Sequence, residues 1–259
     1  MTPTVLKLIA LLAAIFYYSA FITELLKKKC PVIISRGLWI VGFALNATLV
    51  INNYLNNGYV PFVSMYQVLT FLGVCFLPIW LLMRFLRGSG WMAPYFMFAA
   101  GFVMTGLCFM DAESVWEFAP ALQSPFFIPH VLVYMISYCM GAVAFILAIL
   151  SFFKHGSELS RYESGIYDCI TVVFPFMTMG LFFGSIWANE IWGHFWSWDT
   201  KENFSLATWG LYMVYLHFYR HPKLKKHARY LALVGFAGII VTFLFANVLN
   251  TGSVHSYSS

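Results

Sequence analysis

Apolar runs of about twenty residues recur along this chain, each closed by charged residues or by a cluster of Pro, Gly and polar side chains. Eight such runs fall at 4–26, 37–55, 64–83, 91–110, 130–153, 165–188, 203–219 and 230–249. Crossing the hydrocarbon of a bilayer takes about 20 residues of helix, so each run predicts one spanning segment. The expected fold class is an all-α integral membrane protein with about eight transmembrane helices. Composition agrees: 61% of residues are hydrophobic, 10% are charged and the mean hydropathy is +0.77. A soluble domain does not tolerate that balance.

The basic residues give a direction to the helices, because Lys and Arg stay on the cytoplasmic side of short loops. Assigning alternate loops to alternate sides collects Lys27, Lys28, Lys29, Arg36, Arg84, Arg87, Lys154, Arg161, Arg220, Lys223, Lys225, Lys226 and Arg229 on one face. Of the 15 Lys and Arg residues, Lys7 lies in the first run and only Lys201 is left in a loop on the other face. Both termini are therefore expected outside the cytoplasm, with the segments 56–63, 111–129, 189–202 and 251–259. The net charge of +5 is explained by topology and gives no reason to expect nucleic acid. The first run is longer than a signal-peptide core and is followed by no small-residue cleavage pattern, so it is read as a spanning helix. Cys30, Cys75, Cys108, Cys139 and Cys169 are dispersed and form no C-x-x-C pair, which excludes a c-type haem attachment site on this chain. One membrane domain, 1–259, is expected, with 1–110 as a helical scaffold and 119–259 as the part that carries chemistry.

That chemistry concentrates in WANEIWGHFWSWDTKE, residues 187–202. Trp187, Trp192, Trp196 and Trp198 stand beside His194, Glu190, Asp199, Lys201 and Glu202. An interfacial aromatic belt explains one or two tryptophans, but not W-G-x-x-W-x-W-D in consecutive residues. Flat indole faces next to polar groups suit haem, an apolar disc with two propionates, and each offset-stacked ring adds about 0.5–1.5 kcal/mol beyond burial. Lys201 could pair with a propionate, while Asp199 and Glu202 would orient Lys201 and the Trp N–H groups.

The seven histidines sort by depth. His155, His221 and His227 lie in basic loops and read as solvated residues. His130 follows Pro129 at the outer mouth of the fifth run, where the positive end of a helix keeps imidazole neutral. It reads either as a metal ligand or as an interfacial cap. His255 lies in the polar tail after the eighth run and reads either as a ligand or as an ordinary terminal residue. Together the two suggest axial ligands on opposite faces of a haem. His194 has no such partner. His217 lies fourteen residues inside the seventh run, about 21 Å deep at 1.5 Å per residue, and is either functional or an interfacial neighbour of Arg220. No other histidine falls in the bilayer interior, so a bis-histidine site there needs a ligand from a second polypeptide.

In PALQSPFFIPH, FPFMTMGLFFGSIWANEIWG, WGHFWSWDTKE, the YLH that ends at His217, and NVLNTGSVHSY, the chain resembles the cytochrome c assembly family with a tryptophan-rich WWD signature, and within it the haem-handling subunit of the System II synthase. The similarity runs from about residue 119 to 256. It implies that haem b is the transported substrate, that His130 and His255 are the outer axial ligands flanking the WWD loop 187–202, and that His217 is the intramembrane ligand. It also implies a partner subunit of the CcsB (ResB) type, a C-x-x-C-H apocytochrome c, thiol-reducing proteins of the thioredoxin type, and a role in a holocytochrome c synthase (haem lyase) active only with its partner. The expected location is a bacterial cytoplasmic membrane with the site on the outer face, ahead of a plastid thylakoid. Thr200 departs from the proline usual after the motif's aspartate. A haem chaperone of the CcmC type, which makes no thioether bonds, is the alternative, although the eight spans and His217 speak against it. A secondary transporter would show inverted repeats and broken helices, and neither is found.

Overall fold

The computed structural model describes residues 1–26, 30–110 and 120–245, the last two of these (244 and 245) by backbone alone; residues 27–29, 111–119 and 246–259, His255 among them, lie outside the described residues. The described chain is helical throughout, with eight long helices: α1 Pro3–Leu25, α2 Val32–Asn57, α3 Met65–Arg87, α4 Ala93–Leu107, α5 Phe127–Ser151, α6 Gly156–Trp192, α7 Thr200–Arg220 and α8 Lys225–Ile240. A short 3₁₀ turn, Gly90–Met92, leads into α4, and a π-helical stretch, Val241–Phe245, prolongs α8.

Seven of these helices are long and apolar enough to cross a membrane. The eighth, α7, has 21 residues but is diluted by Lys201, Glu202, Asn203, His217 and Arg220. Hydropathy located every helix and misplaced some ends. The largest difference is α6, 37 residues in place of the expected 165–188. At 1.5 Å per residue it is about 55 Å long, well beyond a 30 Å hydrocarbon layer. Its first turns, GSELSRYES, are polar, and a scan for apolar runs passes over helix of that kind.

Local chemistry accounts for several boundaries. Ser64 caps α3 and Asp199 caps α7, each in a reciprocal capping box, with Gln67 and Glu202 as the third residue. Gly193 ends α6 in the left-handed region at φ 78°, where a side chain would be strained. Pro78 in α3 and Pro175 in α6 sit inside helices, as membrane helices permit.

The chain divides into two compact units, Met1–Ala119 and Pro120–Ser259. In the first, α1 packs on α2 and α4, and α3 packs on α2 and α4. Tyr17, Trp39, Leu49, Phe76, Phe96 and Met104 fill its core. In the second, α5 packs on α6 and α8, and α7 packs on α6 and α8. Cys139, Met140, Ala144, Val173, Tyr212 and Ala232 lie at its centre.

Candidate haem site

His130 is the fourth residue of α5, one turn after the segment 120–126. That segment is fastened to the end of α6 twice. The Trp187 indole N–H donates to the Ala121 carbonyl at 2.7 Å, and the Ser124 hydroxyl donates to the Glu190 carboxylate. Ser124 Oγ also accepts the Phe126 N–H at 3.2 Å, so the start of α5 is held from both sides.

The imidazole lies against a notch in α6. A Cβ on Gly184 would fall 2.6 Å from His130 Cε1, and one on Gly180 would fall 2.6 Å from the Tyr134 ring. The pair forms Gly-x-x-x-Gly, the spacing that lets membrane helices approach closely. His130 Nδ1 is 2.9 Å from the Gly180 carbonyl. A carbonyl only accepts, so Nδ1 carries the proton and Nε2 carries the lone pair that can face a metal. Metal-ligating histidines are commonly oriented through their second nitrogen in this way.

Aromatic rings surround this histidine. Trp187 is 5.6 Å from it and Tyr134 is 5.0 Å, centroid to centroid. Trp187 in turn contacts Trp192 at 5.3 Å and Phe127 at 5.2 Å. Trp187 and Trp192 were expected in a loop spanning 187–202, but they stand on the last turns of α6. The connection between helices is only Gly193–Asp199, and residues 200–202 open α7.

Trp198 in that connection is 68% exposed and has φ 60°, the one positive-φ non-glycine among the described residues. For a bulky side chain that conformation costs about 1–3 kcal/mol and persists only where neighbours enforce it. The neighbours are visible. Glu202 accepts the Ser197 N–H at 2.7 Å, the Ser197 hydroxyl at 3.1 Å and the Asp199 N–H at 3.3 Å, bracketing Trp198 on both sides. Asn203 Nδ2 donates to the Trp198 carbonyl at 2.7 Å, and Asp199 Oδ1 accepts the Glu202 N–H at 2.7 Å. Glu202 therefore shapes the backbone of the connection, whereas orientation of Trp N–H groups was expected of it. Trp196 meets Trp198 edge to face at 6.0 Å. Lys201 is half-buried, and burial pushes its ammonium down to about 8 while Asp199 pulls it back up. His194 is exposed, its Nδ1 held 2.9 Å from the Trp192 carbonyl.

His217 lies in the last turn of α7, about 25 Å from Thr200 along the helix at 1.5 Å per residue. It is exposed, and its Nδ1–H donates to Met213 O at 3.0 Å. Arg220, three residues on, donates to the Tyr167 hydroxyl at 3.0 and 3.3 Å. Tyr167 stacks on Tyr219 at 4.3 Å.

The candidate residues thus form three groups: His130 with Trp187 and Trp192; Trp196 and Trp198 with Asp199 and Glu202; and His217 with its basic neighbours. His255 lies outside the described residues. Among the described residues no three His, Cys, Asp or Glu side chains gather as ligands for a bare metal ion. Gly180, Gly184, Ser124, Ser197 and Asn203 were not singled out by sequence, and Glu190 was noted there without a role. GLFFG carried a signal for the two glycines, and the distant pair Ser124–Glu190 carried none.

Eight long helices among the described residues, seven of them long and apolar enough to cross a membrane, define the class as an integral membrane protein. The family model described as Cytochrome C assembly protein matches residues 62–254, and the chain belongs to that family. Among relatives, the chain is 30% identical to the "Cytochrome c biogenesis protein CcsA" of Chlamydomonas reinhardtii, over 91% of this chain and 71% of the relative. It is 31% identical to the protein of that name from Guillardia theta (79% and 78% covered) and 27% identical to that from Nicotiana tomentosiformis (86% and 85%). Within its family the chain is thus similar to CcsA of System II.

Proposed function

We propose that this chain serves cytochrome c biogenesis as the CcsA (ResC) subunit of a System II synthase, taking haem at an inner site and presenting it on the outer face to apocytochrome c. His217 supplies one axial ligand at the inner site, and a membrane subunit of the CcsB (ResB) type supplies the other. At the outer site His130 and His255 clamp the iron, Trp187, Trp192, Trp196 and Trp198 offer ring faces to the macrocycle, and Lys201 pairs with a propionate. The outer site faces the compartment in which the cytochrome is completed.

The observation that carries this reading is the orientation of His130. Its Nδ1–H donates to the Gly180 carbonyl and its ring packs against Trp187 and Tyr134, which supports Nε2 as the nitrogen that would meet the iron. His194 and His217 also hold Nδ1 against a carbonyl, but each on its own helix or turn; of the three, only for His130 does the carbonyl come from another helix. The exposure of His217 supports the inner site, because a ligand shared with another polypeptide must stand on the surface of its own chain.

Attachment of haem joins a cysteine sulfur to one vinyl carbon, while the thiol proton goes to the other carbon. Nothing is oxidised or reduced in the addition. The protein contributes position: a haem held rigidly against two thiols gains up to about 7–11 kcal/mol from proximity. The apocytochrome's own histidine then displaces one clamp ligand and releases the product.

The test is co-purification with the candidate partner, followed by haem spectra of wild type, His130→Gly, His255→Gly and His217→Ala. The two glycine variants are expected to lose outer haem and maturation, with partial recovery on added imidazole. Unchanged maturation in both overturns the outer site. Full outer occupancy in His217→Ala overturns the relay.

A further inference from the structure

A second constellation lies in the first unit, where α1 ends, α2 begins and α3 ends. Glu24 on α1 is buried. Its carboxylate accepts from the Ser35 hydroxyl and, at 3.1 Å, from Arg36 Nη2. Arg36 also stands 4.3 Å over the Trp80 ring and 5.8 Å from Trp39, and the two indoles touch at 4.8 Å. Arg84, on the exposed side, approaches the same Trp80 ring at 5.6 Å. Two guanidinium groups therefore share one indole, and the Glu24 carboxylate pairs with the Arg36 one.

The cluster is short of acceptors. Arg36 Nη1, Trp39 Nε1 and Trp80 Nε1 are all buried donors without a partner among the described residues. Trp39 is 1% exposed and Trp80 is 2% exposed. Sequence sharpens the imbalance: in residues 1–110 Glu24 is the only acid, and at this cluster it stands against Arg36 and Arg84. Buried donors and paired cations call for an anion whose oxygens accept several hydrogen bonds at once. Water would satisfy the N–H groups and leave the charge. The position, at the ends of three spanning helices, is the level of the lipid phosphates, where basic pockets between helices hold anionic headgroups.

We propose that Arg36, Arg84, Trp39 and Trp80 form a phosphate site for the headgroup of an anionic phospholipid, separate from the haem residues. Arg84, long and exposed, is the side chain that admits the phosphate. Trp80 contacts both cations and contributes its N–H.

The experiment is native mass spectrometry of the full-length chain in mild detergent, titrated separately with phosphatidylglycerol, phosphatidylcholine and inorganic phosphate. Wild type is expected to bind one phosphatidylglycerol about tenfold more tightly than phosphatidylcholine, a difference of about 1.4 kcal/mol. Arg84→Gln should remove that preference and Arg84→Lys should keep most of it. Trp80→Phe, which keeps a ring and removes the N–H donor, should weaken binding a few-fold. Arg84 is exposed, so an unchanged melting curve in Arg84→Gln separates lost binding from lost fold. Binding of inorganic phosphate that Arg84→Gln abolishes, with no lipid bound, keeps the phosphate site and makes free phosphate its ligand. Equal phosphatidylglycerol binding in wild type, Arg84→Gln and Trp80→Phe, or no preference over phosphatidylcholine, overturns the proposal.

Discussion

His130 and His217 make the same hydrogen bond in different settings. Each donates Nδ1–H to a backbone carbonyl, at 2.9 and 3.0 Å. The carbonyl for His130 belongs to Gly180, fifty residues away on another helix, and the ring is wedged among Trp187, Tyr134 and a glycine notch. The carbonyl for His217 belongs to Met213, one turn back on the same helix, and the ring is exposed. One imidazole is aimed by tertiary packing. The other has its tautomer set locally, and its surroundings are left for a second polypeptide to complete. In the proposed relay this contrast gives a preorganised outer ligand and an inner one that depends on assembly.

The largest expected effect comes from exchanging the two roles. His130→Gly should empty the outer site while inner haem accumulates, whereas His217→Ala should empty both; difference spectra of the co-purified complex check this. If both variants lose only outer haem, the two histidines belong to one site and the comparison fails. Next is Gly184→Ala, whose new Cβ meets the His130 ring at 2.6 Å. It should lower outer haem affinity by about tenfold, in the range for disturbing a ligand's orienting partner. Inner haem should be untouched and imidazole should restore the outer spectrum. A merely destabilised fold would dim both sites together.

Glu202→Ala should have a smaller effect. Losing the carboxylate that brackets Trp198 costs about 1 kcal/mol of capping, and outer haem should fall several-fold by titration. Asp199→Asn, which keeps an N-cap acceptor, should do less. The smallest effect concerns pH. A lysine held near 8 rather than 10.5 is charged at pH 7 and loses its charge as pH rises through 8. Protein without haem should therefore gain stability with rising pH between about 8 and 10.5, because only the unfolded chain still binds that proton. Haem affinity at the outer site should fall over the lower part of the same window. Lys201→Met should flatten both profiles.

Much of this was legible in the chain. Spans follow from apolar length alone, and W-D-T-K-E holds an Asp-x-x-Glu capping box that places the start of α7. The polar opening of α6 was missed because hydropathy records burial in lipid, not helicity. Trp187 and Trp192 were assigned to a loop because tryptophan-rich polar segments look irregular, although neither Pro nor Gly lies between Gly184 and Gly193. The setting of His130 was hidden for a different reason. Its orientation depends on Gly180 and Gly184, and only the packing of α5 on α6 brings those positions together. The left-handed Trp198 leaves no trace in composition, since its neighbours and not its own preference impose it.

The unbroken run of α6 has a mechanical consequence. Tyr167, which accepts from Arg220 beside His217, and Gly180, which accepts from His130, sit on one continuous helix with Pro175 between them. Lacking an amide hydrogen, Pro175 is the point at which that helix would bend, so the two anchors are joined through a pivot.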